Sequence, residues 1–222
     1  MEQLADKGNG HYAYIDNLQE ARKVLVEEMG STLQTIAKDV KIQVEFNPAT
    51  VASYRLIGYE NRALKREDFN NDKVDAGDIG AGHTVTAIYE LELVGAEDSR
   101  VDPLRYGSTP ADAAIKEPGI KLTSELAYLK LRYKMPNEDS SQLISMAIKR
   151  EAIKQEFSQA SETFRFSAAV AAFGQLLRGG DYTGTFGYED IVVLGQSCKG
   201  NDPWGYRSEF INLVRLAEQI AK

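Results

Sequence analysis

The sequence predicts an α+β chain: a terminal strand-helix remnant, an antiparallel β-sandwich and a C-terminal three-helix cluster. Three observations carry this. Apolar residues alternate with period two through the middle of the chain, they recur with period 3.6 in the last third, and no helical segment separates the strands. Val40, Ile42, Val44 and Phe46 alternate with Lys41, Gln43 and Glu45 up to the Asn47-Pro48 turn. Ser53 to Glu60 reads as a second strand, weakened by Gly58. From Thr84 to Val94, one face takes Val85, Ala87, Tyr89, Leu91 and Leu93, and the other takes Thr84, Thr86, Glu90 and Glu92. Ala127, Leu129, Leu131 and Tyr133 alternate with Tyr128, Lys130, Arg132 and Lys134, and a fifth strand is expected over Gln142 to Ile148.

Near Ser158 the period becomes helical. Phe166, Val170, Phe173 and Leu177 share a face of the first helix, which Gly179-Gly180 ends. Tyr188, Ile191, Val192 and Gly195 mark a second helix. Tyr206, Phe210, Leu213, Val214, Ala217 and Ile220 mark a third, entered through Asp202-Pro203. At the other end, Gly8-Asn9-Gly10 is a turn and His11-Tyr12-Ala13-Tyr14-Ile15 has strand-forming aromatics. Asp16 stands at the N-cap position with Gln19 three residues on, Leu18, Ala21, Leu25 and Met29 follow at helical spacing, and Gly30 supplies a stop. One strand-helix pair cannot bury both of its apolar faces, so this piece is expected to close a domain that begins upstream.

Composition narrows the function. Of 222 residues, 43% are hydrophobic and 27% charged, with 33 acidic against 26 basic side chains and a formal charge of -7. Such a surface repels phosphate backbones, so no nucleic-acid partner is expected. The longest charge-free run in the apolar C-terminal region, between Arg165 and Arg178, is 12 residues. About 20 are needed to span a bilayer, so no membrane span is expected. The single cysteine, Cys198, excludes an internal disulfide and a multi-cysteine metal site.

The N-terminal run Met1-Glu2-Gln3-Leu4-Ala5-Asp6-Lys7-Gly8-Asn9-Gly10-His11-Tyr12 through Leu25 resembles the final strand and helix of a von Willebrand factor type A domain. Three further strings resemble the C-terminal region of the bacterial YfbK-like proteins: Asp39-Val40-Lys41-Ile42-Gln43-Val44-Glu45-Phe46-Asn47-Pro48, the stretch from Asp75 to Glu90, and Gly205-Tyr206-Arg207-Ser208-Glu209-Phe210. The resemblance covers essentially the whole chain. It implies a type A domain ending within residues 1–30, an antiparallel β-sandwich region over 31–155 and a helical region over 156–222. It also implies a cell-envelope or periplasmic setting and an upstream type A domain in the full-length protein. The Asp-x-Ser-x-Ser loop through which type A domains bind metal has no counterpart in this chain, so no residue here is expected to hold that metal.

Candidate sites are few. The acidic stretch Glu67 to Asp78 has the hard oxygens and glycine-containing turn that calcium requires. Counted from Asp72, however, positions three and five are Val74 and Ala76, and position twelve is His83. This fails the EF-hand pattern and reads as a solvated hairpin connection. A catalytic His83 would need a nucleophile and an orienting group, which the sequence does not identify, and His11 is likewise isolated. Cys198, with Lys199 beside it, reads as a buried thiol rather than a nucleophile. The glycine-rich run Gly179 to Gly187 follows no strand and lacks Gly-Lys-Ser/Thr, so it fails as a phosphate loop.

The stretch Gly95 to Gly119 carries three prolines, and Leu104, Arg105 and Tyr106 within it are the candidate partner-binding residues. Asp202 is placed to cap the last helix, with Arg207 free to pair with a carboxylate. The expected function is a non-catalytic structural or protein-interaction region with no cofactor and a protein partner of unknown identity. The alternatives are a hydrolase using His83 or Cys198, and a calcium-stabilised adhesion module working through loop 67–78.

Overall fold

The structure is a computed structural model, and it describes residues 4–5, 12–58, 64–96 and 124–221. The α+β class holds. Among the described residues, a helical segment precedes six strands in two sheets, and three longer helices follow. The chain divides into two compact units. One takes the described residues within Met1–Ser53, Glu60–Val85 and Glu92–Arg150, and the other those within Tyr54–Tyr59, Thr86–Leu91 and Glu151–Lys222.

In the first unit, α1 (Leu18–Arg22) runs through a π-helical turn (Lys23–Glu27) into α2 (Met29–Leu33). The cap is Asn17, one residue later than expected, its side-chain oxygen accepting the Glu20 N–H at 2.8 Å. Gly30 lies inside α2 and does not stop the helix. Tyr12 to Ile15 form no strand, since a strand needs a neighbour for its backbone groups and no described strand pairs with them. His11 lies outside the described residues.

A four-stranded sheet follows, in the order β3 (Gly77–Gly80), β1 (Thr35–Phe46), β5 (Glu125–Lys134), β6 (Ser141–Lys149). The β1–β3, β1–β5 and β5–β6 pairings are all antiparallel. Register places Ile42 opposite Leu131 and Leu131 opposite Ile144, and likewise Val44, Leu129 and Met146 in one row. Lys41, Arg132 and Leu143 form a row on the other face, as do Gln43, Lys130 and Ser145. Period-two alternation therefore becomes one apolar face and one mixed face.

The turn after β1 is fixed by hydrogen bonds. Asn47 Oδ1 accepts from Ala49 N at 3.0 Å, while Asn47 Nδ2 and Thr50 Oγ1 each donate to the Glu125 carbonyl at 2.8 Å. Thr50, Val51, Phe69, Leu126 and Ala127 are buried in this unit.

β2 (Val51–Ile57) pairs with β4 (Ile88–Leu93) in a two-stranded sheet. β4 is shorter than the Thr84–Val94 strand expected, with residues 83–87 irregular. The second unit combines Tyr54–Ile57 and Ile88–Leu91 with α3 (Glu162–Leu177), α4 (Tyr188–Ser197) and α5 (Tyr206–Ala221). Its core is Ala169, Ile191 and Val214, with Phe173, Leu176, Tyr188 and Phe210 packed around them.

The buried face of α3 thus runs through Ala169, Ala172, Phe173 and Leu176. It is rotated from the expected Phe166–Val170–Phe173–Leu177 stripe, and Val170 and Leu177 are exposed. Alanines face the neighbouring helices because only a small side chain allows that approach. Phe210 then fills the space, meeting Phe166 and Phe173 edge-on at 5.3 and 5.6 Å. Each such pair adds about 0.5–1.5 kcal/mol beyond area burial. Gly195 permits α4 to close on α5, since a Cβ there would lie 3.3 Å from Ile211 Cγ1. Gly179 and Gly180, both at positive φ, terminate α3 as expected.

Candidate functional site

The acidic loop lies against β1, β5 and the start of β6, whose side chains donate to oxygens of Asp68, Asn70, Asn71 and Asp72. Phe69, in the 3₁₀ turn Arg66–Asn70, is buried and anchors the loop. Lys41 is only 3% exposed. A buried ammonium is tolerated only with hydrogen-bond acceptors, and Lys41 Nζ donates to the carbonyls of Asn71 at 2.5 Å and Asp68 at 3.4 Å. Lys134 Nζ donates to Asp39 Oδ2 at 2.6 Å and to the Asp72 carbonyl at 2.9 Å. Ser141 Oγ donates to Asp72 Oδ1 at 2.6 Å, and Arg132 Nη2 to Asn70 Oδ1 at 3.2 Å.

Asp39 sits at an irregularity within β1, where the register shifts against both β3 and β5. It has φ 51°, the one described non-glycine residue with positive φ. Its Oδ1 accepts from Ala76 N and its own N–H donates to Asp78 Oδ1, both at 3.2 Å. Burial pushes the Asp39 carboxyl up, but hydrogen bonds from Lys134 and Ala76 and the Lys134 charge outweigh it and hold the group below its ordinary value. Asp75 goes the other way, raised by burial, by its hydrogen bond with Asp39 and by the charges of Asp39 and Asp78. The result is a carboxyl pair split by one lysine. Among the described residues, no group of three or more His, Cys, Asp or Glu side chains is arranged to hold a metal ion.

The second unit has an apolar cleft of about 390 Å³ between β2, β4 and α3, lined by Ile57, Ile88, Phe166, Val170, Gln175 and Arg178 among others. Beside it, Arg55 donates to Glu90 through Nε at 3.2 Å and to Gln175 Oε1 at 3.0 Å, with its guanidinium 3.7 Å from the Tyr182 ring centroid. All of the donors of this arginine that these contacts use point at protein groups, which makes Arg55 a tie between sheet and helix within this unit.

The remaining candidate residues are not brought into a reactive constellation. Cys198 is fully buried at the end of α4, its thiol 2.9 Å from the Leu194 carbonyl. His83 is exposed in the irregular stretch before β4, and its backbone N–H donates to Gly80 O at 3.1 Å. Asp202 caps α5 as expected: Oδ2 accepts from the N–H and hydroxyl of Ser208 at 2.8 Å each, and Oδ1 from Arg207 N at 3.3 Å. Arg207 turns to the end of α4 instead of a carboxylate, donating to Lys199 O at 2.8 Å and Cys198 O at 3.3 Å, and lies over the Phe166 ring. Leu104, Arg105 and Tyr106 lie outside the described residues.

Sequence reasoning missed Lys41, Lys134 and Asp39. The signal was present in the alternation, which put both lysines on polar strand positions, but nothing in the period says that the acidic loop returns to meet them.

Apolar side chains stay exposed at two places in the first unit. Leu18, Leu25, Val26, Met29 and Leu33 of the helical segment are 51–86% exposed. Ile42, Leu143, Ile144 and Met146 of the sheet are 51–57% exposed. No described helix is long and apolar enough to cross a membrane.

Fold and surfaces together define an α+β region with open apolar strand and helix faces. The chain belongs to the bacterial family described as the C-terminal region of the uncharacterized protein YfbK, whose model matches residues 31–220. Over 220 residues it is 49% identical to the Escherichia coli (strain K12) protein of that description. The match takes in 99% of this chain and 36% of the relative, so the chain spans about a third of the length of the curated relative it matches. No solved structure matches it.

Proposed function

We propose that this chain is a non-catalytic structural and protein-interaction region that follows a von Willebrand factor type A domain in a cell-envelope protein. The observation that carries the reading is the helical segment Leu18–Leu33. It has five large apolar side chains at least half exposed, and neither α1 nor the π-helical turn has a buried residue. Helices of this length are marginal in water without a packed face. A segment with such side chains exposed is supported by a surface beyond the described residues. The resemblance of residues 1–25 to the last strand and helix of a type A domain names that surface, and the greater length of the relative leaves room for it.

Two observations favour an interaction role over chemistry. The Cys198 thiol is sealed in the helical core, and no described side chain is hydrogen-bonded to the His83 ring. The oxygens of the acidic loop are held by lysine, arginine and serine donors, which supports a structural role for that loop.

The test compares this chain with a longer one that includes the upstream region. Hydrogen exchange over residues 18–33 should slow by at least tenfold in the longer chain, and this chain alone should retain a specific envelope protein from an extract with magnesium and with chelator alike. Equal exchange in both chains overturns the upstream assignment. A specific, saturable turnover of ester or amide substrates that is abolished by Cys198→Ala or His83→Ala overturns the non-catalytic reading.

A further inference from the structure

The open edge of the main sheet has the features of a strand-pairing surface. β6 lies at the end of the order β3-β1-β5-β6, and among the described residues no strand pairs with its outer side. It is nine residues long, and the run from Gln142 to Met146 is exposed throughout. Leu143 at 52%, Ile144 at 55% and Met146 at 57% put large apolar groups on both faces of the strand. Proteins commonly blunt such edges with lysine, proline, bulges or short length. From Ser141 to Ile148 there is no charge and no proline.

We propose that β6 pairs antiparallel with β6 of a second copy of this chain, with Ser145 of each copy opposite Ser145 of the other. This inference does not depend on the upstream domain. In that register Ile144 faces Met146, Leu143 faces Ala147 and Gln142 faces Ile148, so apolar meets apolar at the centre and the period-two faces match. The row Ile42–Leu131–Ile144 of one copy then continues into the row Met146–Leu129–Val44 of the other.

Charge selects the direction. Glu138 and Asp139 precede β6, while Lys149 is its last residue. Antiparallel pairing brings the acidic entry of each strand beside the basic exit of the other, twice per dimer. Parallel pairing would set like charges together. Arg150 and Glu151 fall together in the 3₁₀ turn Arg150–Ala152, beyond the ladder, and their charges offset each other there. The contact is one strand wide, well under the about 800 Å² per partner of a standard stable complex. Association is therefore expected in the upper micromolar range, where it would add strength to any multivalent assembly.

The first measurement is sedimentation equilibrium of this chain from micromolar to near-millimolar concentration. The mass should rise from 24.6 kDa toward twice that value. Ser145→Lys and Ser145→Glu each put like charges directly opposite one another across the two-fold, and each alone should keep the single-chain mass. Mixed in equal amounts they should regain the dimer, which a misfolded variant could not do.

Cross-linking tests the register. Opposed residues of antiparallel strands have Cα atoms about 4.5–5.5 Å apart, within disulfide range, and the native Cys198 is buried. Ser145→Cys should therefore form a covalent dimer under mild oxidation. Gln142→Cys should not, because its thiols would lie about 20 Å apart along the strands. A single-chain mass across the whole range, failure of the mixture to associate, or equal cross-linking of both cysteine variants would overturn the proposal.

Discussion

Lys134 places its ammonium 2.6 Å from Oδ2 of Asp39, the residue with a left-handed backbone at the register shift within β1. Both side chains are largely buried, at 12% and 18% exposure. The pair ties β5 to β1 at the point where β1 also meets the Ala76 N–H, so three chain segments depend on one carboxylate.

Asp39→Ala should therefore cost about 2 kcal/mol, from lost hydrogen bonds and from a Cβ residue without side-chain compensation at positive φ. Asp39→Asn should cost less, because asparagine tolerates the left-handed region and keeps an acceptor for Ala76. Urea midpoints for the two variants check the order. Equal losses would mean that the charge, and not the turn, carries the effect.

Asp75 and Asp39 respond to pH in opposite senses. Burial and the neighbouring Asp39 raise the folded-state value of Asp75, so its favourable contribution is complete below the unfolded value and lost as pH rises through the raised one. The depressed Asp39 contributes above its unfolded value and loses that contribution as pH falls through the lowered one. Asp75→Asn should thus stabilise the protein at neutral pH, with the gain shrinking as pH falls through the ordinary aspartate range. Thermal unfolding from pH 7 to pH 3 measures it, and a gain that grows on acidification would contradict the assignment.

Calcium should leave the melting temperature unchanged relative to chelator, because the loop oxygens from Asp68 to Asp72 already accept from Lys41, Lys134 and Ser141. A bound ion would raise it in proportion to the logarithm of its concentration.

Cys198 should be unreactive toward thiol reagents in the native state and react only on the timescale of unfolding, since its side chain is enclosed by the helical core. Rapid labelling without loss of structure would reopen the nucleophile reading.

Asp202→Ala should cost about 1 kcal/mol, the ordinary worth of a helix cap. Its carboxyl is pushed up by burial but held low overall by the Ser208 backbone and hydroxyl bonds and the Arg207 N–H. Loss of α5 helicity near Tyr206 by hydrogen exchange is the matching local signal.

Strands β1 and β5 were legible because each alternates for seven or more residues, long enough for period two to stand clear, whereas β6 shows as a short apolar run without charge or proline. β3 was not, since Gly77-Asp78-Ile79-Gly80 has one apolar side chain and is held by pairing with β1. Thr84 to Ala87 alternate as a strand does yet remain irregular. Alternation states which face would be buried, not whether a neighbour is there to accept hydrogen bonds. The helical cluster was legible, while the rotation of α3 was not. Alanine has no weight in a search for large apolar residues, although closest approach puts Ala169 at the centre. The cap at Asp202 followed from local spacing. The lysines over the acidic loop did not, because they join residues 27 to 62 positions apart.

The bonds from Asn47 and Thr50 to the Glu125 carbonyl join positions 78 and 75 residues apart. They act as a clasp that fastens the turn after β1 to the start of β5 across a long stretch of chain. Closing a ring of that size is slow in folding, but lengthening it is cheap, since each doubling costs only about 0.6 kcal/mol. Family members can thus be expected to differ most in the length of this excursion while keeping β1 and β5 in register. Loss of the Thr50 hydroxyl, which helps to fasten this closure, should cost about 1 kcal/mol.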